Sequence, residues 1–108
     1  MDLTLYQLKA LKTAIYPAEV KTLYPAMGLA GEAGEILNKL KKVYRDKGGV
    51  LDDATEKALG AELGDVLWYV AVLANDLHID LTVVAQQNLD KLADRAARGK
   101  IKGEGDDR

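Results

Sequence analysis

Four acidic side chains stand in two short motifs of the same form. Residues 29–37 read LAGEAGEIL and residues 59–67 read LGAELGDVL, so a shift of 30 residues superposes leucine on leucine and acid on acid. The acids are Glu32, Glu35, Glu62 and Asp65. On a helix, both acids of a motif fall to the same side of its first leucine, at about 60° and 120°. Each segment therefore predicts an apolar stripe edged by two carboxylates.

Four carboxylates at one place need compensating charge. If the two helices pack antiparallel through their apolar stripes, the acids meet at the border of an apolar core. Like charges and desolvation both disfavour ionised carboxylates there, so the cluster must take up protons or hold cations. Oxygen ligands of this kind suit Mg²⁺ or Mn²⁺ rather than zinc or copper. We therefore predict a Mg²⁺ site, with Mn²⁺ as a second candidate.

The four acids have two other interpretations. An acid pair three residues apart is often only a solvated helix face, and Glu35 with Lys39 is an ordinary ion pair one turn apart. A di-iron carboxylate bundle would need an E-x-x-H motif on two helices. The one histidine, His78, follows the third predicted helix and belongs to no such motif. The repetition of two acid pairs in register favours the divalent-cation site.

Glycines surround the acids. Each glycine inside a helix costs about 1 kcal/mol relative to alanine, so their presence needs a reason. Because glycine has no side chain, we interpret these residues as leaving room beside the acids for a metal, its waters and a ligand, or as letting a neighbouring helix approach closely. They are Gly28, Gly31, Gly34 and Gly64.

Apolar residues recur at helical spacing in four segments, which predicts an all-α fold. Pro17 ends the first helix, KGG at 47–49 ends the second, Asp52 or Asp53 caps the third, and Gly99 follows the fourth. The predicted helices cover about 2–16, 26–46, 53–77 and 80–98. Residues 1–99 form one domain in this interpretation, and the glycine-rich, charged residues 100–108 form a mobile tail.

Composition narrows the functional classes. The chain has 108 residues and no cysteine, which excludes disulfides and thiolate zinc sites. With 15 basic and 17 acidic side chains, we expect no nucleic-acid polymer as a partner. Neither a signal peptide nor a membrane-length apolar run is evident, so we expect a cytoplasmic protein without a membrane partner. The second and third helices are too apolar for so short a chain to cover, so we expect a four-helix bundle completed by homo-oligomerisation, as a homodimer or a dimer of dimers.

The fourth predicted helix carries a polar ridge. Asn88, Lys91 and Arg95 stand at i, i+3 and i+7, where basic residues often only aid solubility. Beside a Mg²⁺ cluster, however, such cations would bind a polyphosphate. Tyr69, four residues after Asp65, could present its hydroxyl to a phosphate oxygen, whereas Trp68 points elsewhere and is expected to serve packing.

These motifs support a family resemblance. The chain carries an E-x-x-E motif within GLAGEAGEI and, after 26 intervening residues, an E-x-x-D motif within ELGDVLWYVA. This pattern resembles that of the MazG-like all-α nucleoside triphosphate pyrophosphohydrolases. That superfamily includes dimeric dUTPases and phosphoribosyl-ATP pyrophosphohydrolases. The ending NLDKLADRAARGKIKGEGDDR is similar to that of small single-domain members. Many members carry two consecutive glutamates in the first motif, and Gly31 stands where the extra one would be.

The resemblance implies Mg²⁺-dependent hydrolysis of a nucleoside triphosphate between its α and β phosphates, giving a monophosphate and pyrophosphate. It implies that the four acids are metal ligands, directly or through water, with Glu35 as our choice of general base. The phosphates would be bound by Asn88 and Lys91, with Arg95 and Tyr69 as further candidates. The base pocket would lie between subunits or near the first helix, with four candidates: Tyr6, Gln7, Tyr16 and Tyr24.

Small relatives usually remove unwanted dNTPs, so house-cleaning of the nucleotide pool is the expected task. Two alternatives stay open: a non-enzymatic helical oligomerisation or regulatory module, and a pyrophosphohydrolase for another nucleotide such as phosphoribosyl-ATP.

Overall fold

The computed structural model describes residues 1–99 and 101–106. Within them it has no strand, and its four α-helices are α1 (Leu3–Ala10), α2 (Leu23–Lys47), α3 (Asp53–Asp76) and α4 (Leu81–Ala97). Two single turns of 3₁₀ helix, Leu11–Thr13 and Ala18–Val20, lie between α1 and α2. The all-α class predicted from the sequence is confirmed. No single helix in the described part of the chain is long and apolar enough to cross a membrane, and only α3 and α4 taken together, across a 102° bend, have that length and composition.

Local sequence sets the helix ends. The side chain of Asp52 accepts a hydrogen bond from the backbone nitrogen of Thr55 at 2.8 Å, and Asp80 accepts one from Thr82 at 2.8 Å. These N-caps begin α3 and α4 by satisfying backbone donors that have no partner within the helix. Gly48, at φ 60°, ends α2 in the left-handed conformation that the KGG segment predicts.

The first helix is shorter than predicted. It ends at Ala10 instead of near Tyr16, and one 3₁₀ turn follows. In a continuing α-helix the carbonyl of Ala10 would accept from the nitrogen of Ala14. That nitrogen donates instead to Leu11, at 3.1 Å, because the Ala10 carbonyl accepts from the Trp68 indole at 3.2 Å and from the Thr13 hydroxyl at 3.0 Å. A contact with a distant residue therefore ends this helix.

The second helix begins earlier than predicted. It starts at Leu23, so Pro25 lies inside its first turn instead of before it. Proline is tolerated there because the first backbone nitrogens of a helix have no intrahelical acceptor.

The core lies where α1 crosses the corner between α3 and α4. Its buried apolar residues include Ala71, Val72 and Leu81. Gln7 fixes this corner: its amide nitrogen donates to the carbonyls of Ala71 and Ile79, and its oxygen accepts from the nitrogen of Leu81, each at 3.0 Å. Both donors of the Gln7 amide are thus used by the fold, which removes it as a candidate for reading a base.

The hairpin of α2 and α3 extends away from this core. The two helices run antiparallel, since Gly28 meets Tyr69 while Lys39, eleven residues later, meets Glu62. Leu37 on α2 and Leu63 on α3 are 70% and 59% exposed. The radius of gyration is 16.7 Å, against about 13 Å for a compact domain of this length. One chain therefore leaves much of the hairpin uncovered.

Candidate metal centre

The antiparallel hairpin brings three of the four motif acids together. Glu32 of α2 and Glu62 and Asp65 of α3 each offer a carboxylate oxygen within 4.8 Å of the others. Glu32 and Glu62 are half-buried, while Asp65 is exposed. Convergence of the two repeated motifs, predicted from the sequence, is confirmed for these three residues.

Glu35 lies at the edge of this group. It is exposed, one turn after Glu32, and is outside the set of oxygens within 4.8 Å. Its charge nevertheless contributes to raising the pKa of Glu32, so it faces the same region. Its assignments as a metal ligand and as the general base stay predictions.

The acids of this cluster repel one another. The pKa of Glu32 is raised above its ordinary value, first because its protonated form hydrogen-bonds to the carboxyl of Glu62, then through desolvation and the negative charges of Glu62, Asp65 and Glu35. Three oxygen donors from two helices, with an unfavourable electrostatic balance, match the preference of Mg²⁺ for hard ligands. The residues present therefore fit a divalent cation.

Lys39 is a member of the site that sequence analysis missed. Its ammonium nitrogen lies 3.6 Å from a carboxylate oxygen of Glu62, and the two side chains are 37% and 17% exposed. The expected partner within the helix was Glu35, but the ion pair crosses to α3. Its position two helical turns after Glu32 was the available signal, because residues seven apart share a helix face.

Close approach explains one of the glycines. A β-carbon on Gly28 would lie 2.1 Å from ring carbon Cε1 of Tyr69, so no other residue leaves space for this ring. A β-carbon on Gly31, Gly34 or Gly64 would meet nothing within 4 Å. These three face open space, which agrees with the interpretation that they leave room beside the acids.

Aromatic residues border the acids. The pKa of Tyr69 is raised, first by burial and then by the neighbouring Tyr24, Glu32 and Asp65. Its ring packs on Gly28, one turn before Glu32, and its contact with a phosphate stays a prediction. Burial and the charge of Asp65 raise the pKa of Tyr6 on α1. Tyr6 and Tyr24 thus stay candidates for the base pocket.

Tyr16 has a structural partner instead. Its hydroxyl donates to Asp76 at 2.6 Å, and the same carboxylate oxygen accepts from the backbone nitrogen of Thr22 at 2.9 Å. Its ring stacks on Tyr24 with centroids 4.7 Å apart. Tyr16 therefore supports the ring of Tyr24 and ties the α1–α2 connection to α3.

Trp68 and His78 lie where the sequence analysis placed them. The Trp68 indole donates to the Ala10 carbonyl and, at 2.9 Å, to the Thr13 hydroxyl, so it packs α3 against the end of α1. His78 is exposed just beyond α3, at φ 61°.

Within one chain, the polar ridge of α4 lies on a different surface from the acid cluster. Asn88 and Lys91 line an open groove of about 360 Å³ together with Val84 and Gln87. The ion pairs of Lys91 and Arg95 are made with Asp106 of the C-terminal tail. Among residues 1–99 and 101–106, no hydrogen bond or ion pair joins this ridge to the acids. The phosphate-binding roles of Asn88, Lys91, Arg95 and Tyr69 stay predictions.

Comparison with known proteins agrees with the motif geometry. The family model of the MazG nucleotide pyrophosphohydrolase domain matches residues 21–99, which include both acid motifs and α4. The Gene 37 protein of Mycobacterium phage L5 is 52% identical over 114 aligned positions that cover 100% of both chains. No solved structure gives a significant match. The chain belongs to the MazG nucleotide pyrophosphohydrolase family.

Proposed function

We propose that this protein is a Mg²⁺-dependent nucleoside triphosphate pyrophosphohydrolase that converts dNTPs to dNMPs and pyrophosphate in the cytoplasmic nucleotide pool. The observation that carries the proposal is the group formed by Glu32, Glu62 and Asp65, whose oxygens lie within 4.8 Å of one another. A family match alone indicates the class of reaction, and the three converging carboxylates supply a place for its metal.

Each acidic residue has a distinct part in this proposal. Glu32, Glu62 and Asp65 would hold the ion, and Mg²⁺, when bound, supplies positive charge to the phosphate chain. Glu35 is exposed beside them, where it can accept a proton from the water that attacks the α-phosphorus as pyrophosphate leaves. Lys39 would leave Glu62 when a divalent ion arrives, because the ion neutralises the same carboxylate.

The phosphate chain needs donors on its other side. Tyr69 lies on α3 one turn after Asp65, while Asn88, Lys91 and Arg95 lie on α4. For the α4 ridge to bind the same phosphate chain, another copy of the chain or a movement of α4 must bring it near an acid cluster.

Exposed surface supports a homo-oligomer. The chain exposes 7667 Å², whereas a compact monomer of 11.7 kDa exposes about 5,900 Å². The excess of about 1,800 Å² per chain is about 3,600 Å² for two chains, which falls within the roughly 2,000–5,000 Å² that the two partners of an obligate homodimer bury together. Leu37 and Leu63 are exposed on this excess surface. Leu37→Glu should lower the mass measured by light scattering to that of a monomer, and an unchanged mass would place the interface elsewhere.

A substrate panel tests the activity. The purified protein is incubated with canonical and modified dNTPs, NTPs and phosphoribosyl-ATP, with Mg²⁺ or with EDTA, and pyrophosphate is measured. We expect Mg²⁺-dependent release from at least one dNTP. Release from phosphoribosyl-ATP alone would change the substrate class. No release from any nucleotide would leave a helical binding module as the better account of the fold.

A further inference from the structure

The C-terminal tail folds back onto α4. Gly103 and Gly105 adopt φ values of 127° and 80°, in the region that favours glycine, and the chain reverses there. The reversal brings a carboxylate oxygen of Asp106 to 3.2 Å from both the ammonium nitrogen of Lys91 and Nη2 of Arg95. Nη2 also donates to the backbone carbonyl of Asp106 at 2.6 Å. Sequence analysis predicted a mobile tail over 100–108 and not this contact. Residues 100, 107 and 108 lie outside the described part of the chain.

The three groups of this contact differ in burial. The side chain of Arg95 is 4% exposed, that of Lys91 is 41% exposed, and that of Asp106 is 83% exposed. Nε of Arg95 is buried and has no hydrogen-bond partner within residues 1–99 and 101–106. A buried guanidinium needs anionic or polar partners, and here its anion comes from an exposed segment. The cation is fixed by the fold, whereas the anion can be exchanged.

Space for a larger anion adjoins the contact. Lys91 belongs both to the ion pair with Asp106 and to the open groove of about 360 Å³ that Asn88 also lines. Lys91 and Asn88 on this groove, together with Arg95 one turn further along α4, provide donors for the oxygens of a phosphate chain. Asp106 is paired with both cations.

We propose that the carboxylate of Asp106 competes with the phosphate chain of a nucleotide for Lys91 and Arg95, so that the C-terminal tail lowers the affinity for the nucleotide. The inference rests on the proposed function for the identity of the competing ligand. Exposed ion pairs are individually weak, so a di- or triphosphate with several charged oxygens can displace one tail carboxylate.

The test measures anion binding without turnover. Inorganic pyrophosphate is titrated calorimetrically, in EDTA, into the full-length protein and into Asp106→Asn, which keeps the backbone carbonyl that contacts Arg95. We expect Asp106→Asn to bind pyrophosphate about two- to fivefold more tightly, the range expected when a weak exposed ion pair no longer competes. Asp94→Asn is the matched control, because Asp94 is paired with Arg98 on the same helix, and its affinity should equal that of the parent. Affinity in Asp106→Asn that is equal to or weaker than the parent's would overturn the proposal.

A second readout follows the tail itself. Saturating pyrophosphate should lower the heteronuclear NOE of the Gly103 and Gly105 amides in the parent protein, since the tail is released. An unchanged NOE at saturation would contradict displacement. Both measurements are independent of hydrolysis. If the tail proposal fails while dNTPs are cleaved, the proposed function stands. If no nucleotide is cleaved, pyrophosphate binding to Lys91 and Arg95 can still be measured.

Discussion

Replacement of Gly28 by alanine should disturb the metal centre through Tyr69. The new β-carbon would lie 2.1 to 2.6 Å from three ring carbons of Tyr69, whereas ordinary contacts begin near 3.4 Å. The ring or the helix must therefore move by about 1 Å. The ring has little freedom, because it packs edge-on against Trp68 with centroids 5.0 Å apart, and Trp68 is hydrogen-bonded to the end of α1.

The expected magnitude combines two opposing effects. Overpacking costs about 1–3 kcal/mol, and alanine gains about 1 kcal/mol over glycine within a helix. Gly28→Ala should thus lower the free energy of unfolding by roughly 0–2 kcal/mol. Gly31→Ala meets nothing within 4 Å and is the control. It should raise the free energy of unfolding by up to about 1 kcal/mol.

Urea unfolding at matched protein concentrations measures both variants. Pyrophosphate release should also fall in Gly28→Ala, because the Tyr69 ring packs on α2 one turn before Glu32 and its hydroxyl is a candidate for contacting the phosphate chain. If Gly28→Ala proves as stable as Gly31→Ala, the ring does not pack on α2 and the assignment of Tyr69 to the site is refuted.

Three further substitutions probe the site and the fold. Glu62→Gln should abolish Mg²⁺-dependent turnover, keep the helical circular dichroism and raise the metal-free melting temperature, because it removes a charge that repels Glu32. The same repulsion makes the stability depend on pH, because the pKa of Glu32 in the folded state lies above its ordinary value near 4.5. Just above that pH the folded state therefore binds more protons than the unfolded state. The free energy of unfolding without metal should fall as the pH rises through this window. A metal-free stability that rises there would contradict the cluster. Asp52→Ala should lower the free energy of unfolding by about 1 kcal/mol, whereas Asp53→Ala, which loses no cap, should change it by a few tenths; equal losses would exclude Asp52 as the cap. Lys91→Ala should weaken binding of a non-hydrolysable dNTP more than binding of Mn²⁺, and equal nucleotide affinity would remove Lys91 from the site.

The sequence predicts the elements and the acid cluster well because both depend on local periodicity. The repeat at 29–37 and 59–67 places the acids on equivalent helix faces, and a five-residue loop makes the helices antiparallel. Three of the four acids meet for that reason. Caps such as Asp52 are equally local, since one side chain satisfies a backbone donor three residues away.

Contacts between distant residues could not be predicted in the same way. The end of α1 depends on the indole of Trp68, 58 residues away. The partner of Lys39 depends on the exact register of α2 against α3, which periodicity does not define. Likewise, the charged tail showed no hydrophobic pattern to indicate that Asp106 returns to Lys91. In each case a tertiary contact decides between local alternatives of similar energy.

The most direct test of the metal centre is a count of bound ions. Mn²⁺ is titrated into the protein and followed by the electron paramagnetic resonance signal of the free ion, with Mg²⁺ as competitor. Glu56→Gln is the control, because Glu56 is exposed in the first turn of α3, away from the motif acids. We expect saturable binding that Mg²⁺ displaces, retained in Glu56→Gln and lost in Glu62→Gln. Binding that is absent in the parent, or equal in the parent and Glu62→Gln, would contradict a divalent-cation site at Glu32, Glu62 and Asp65.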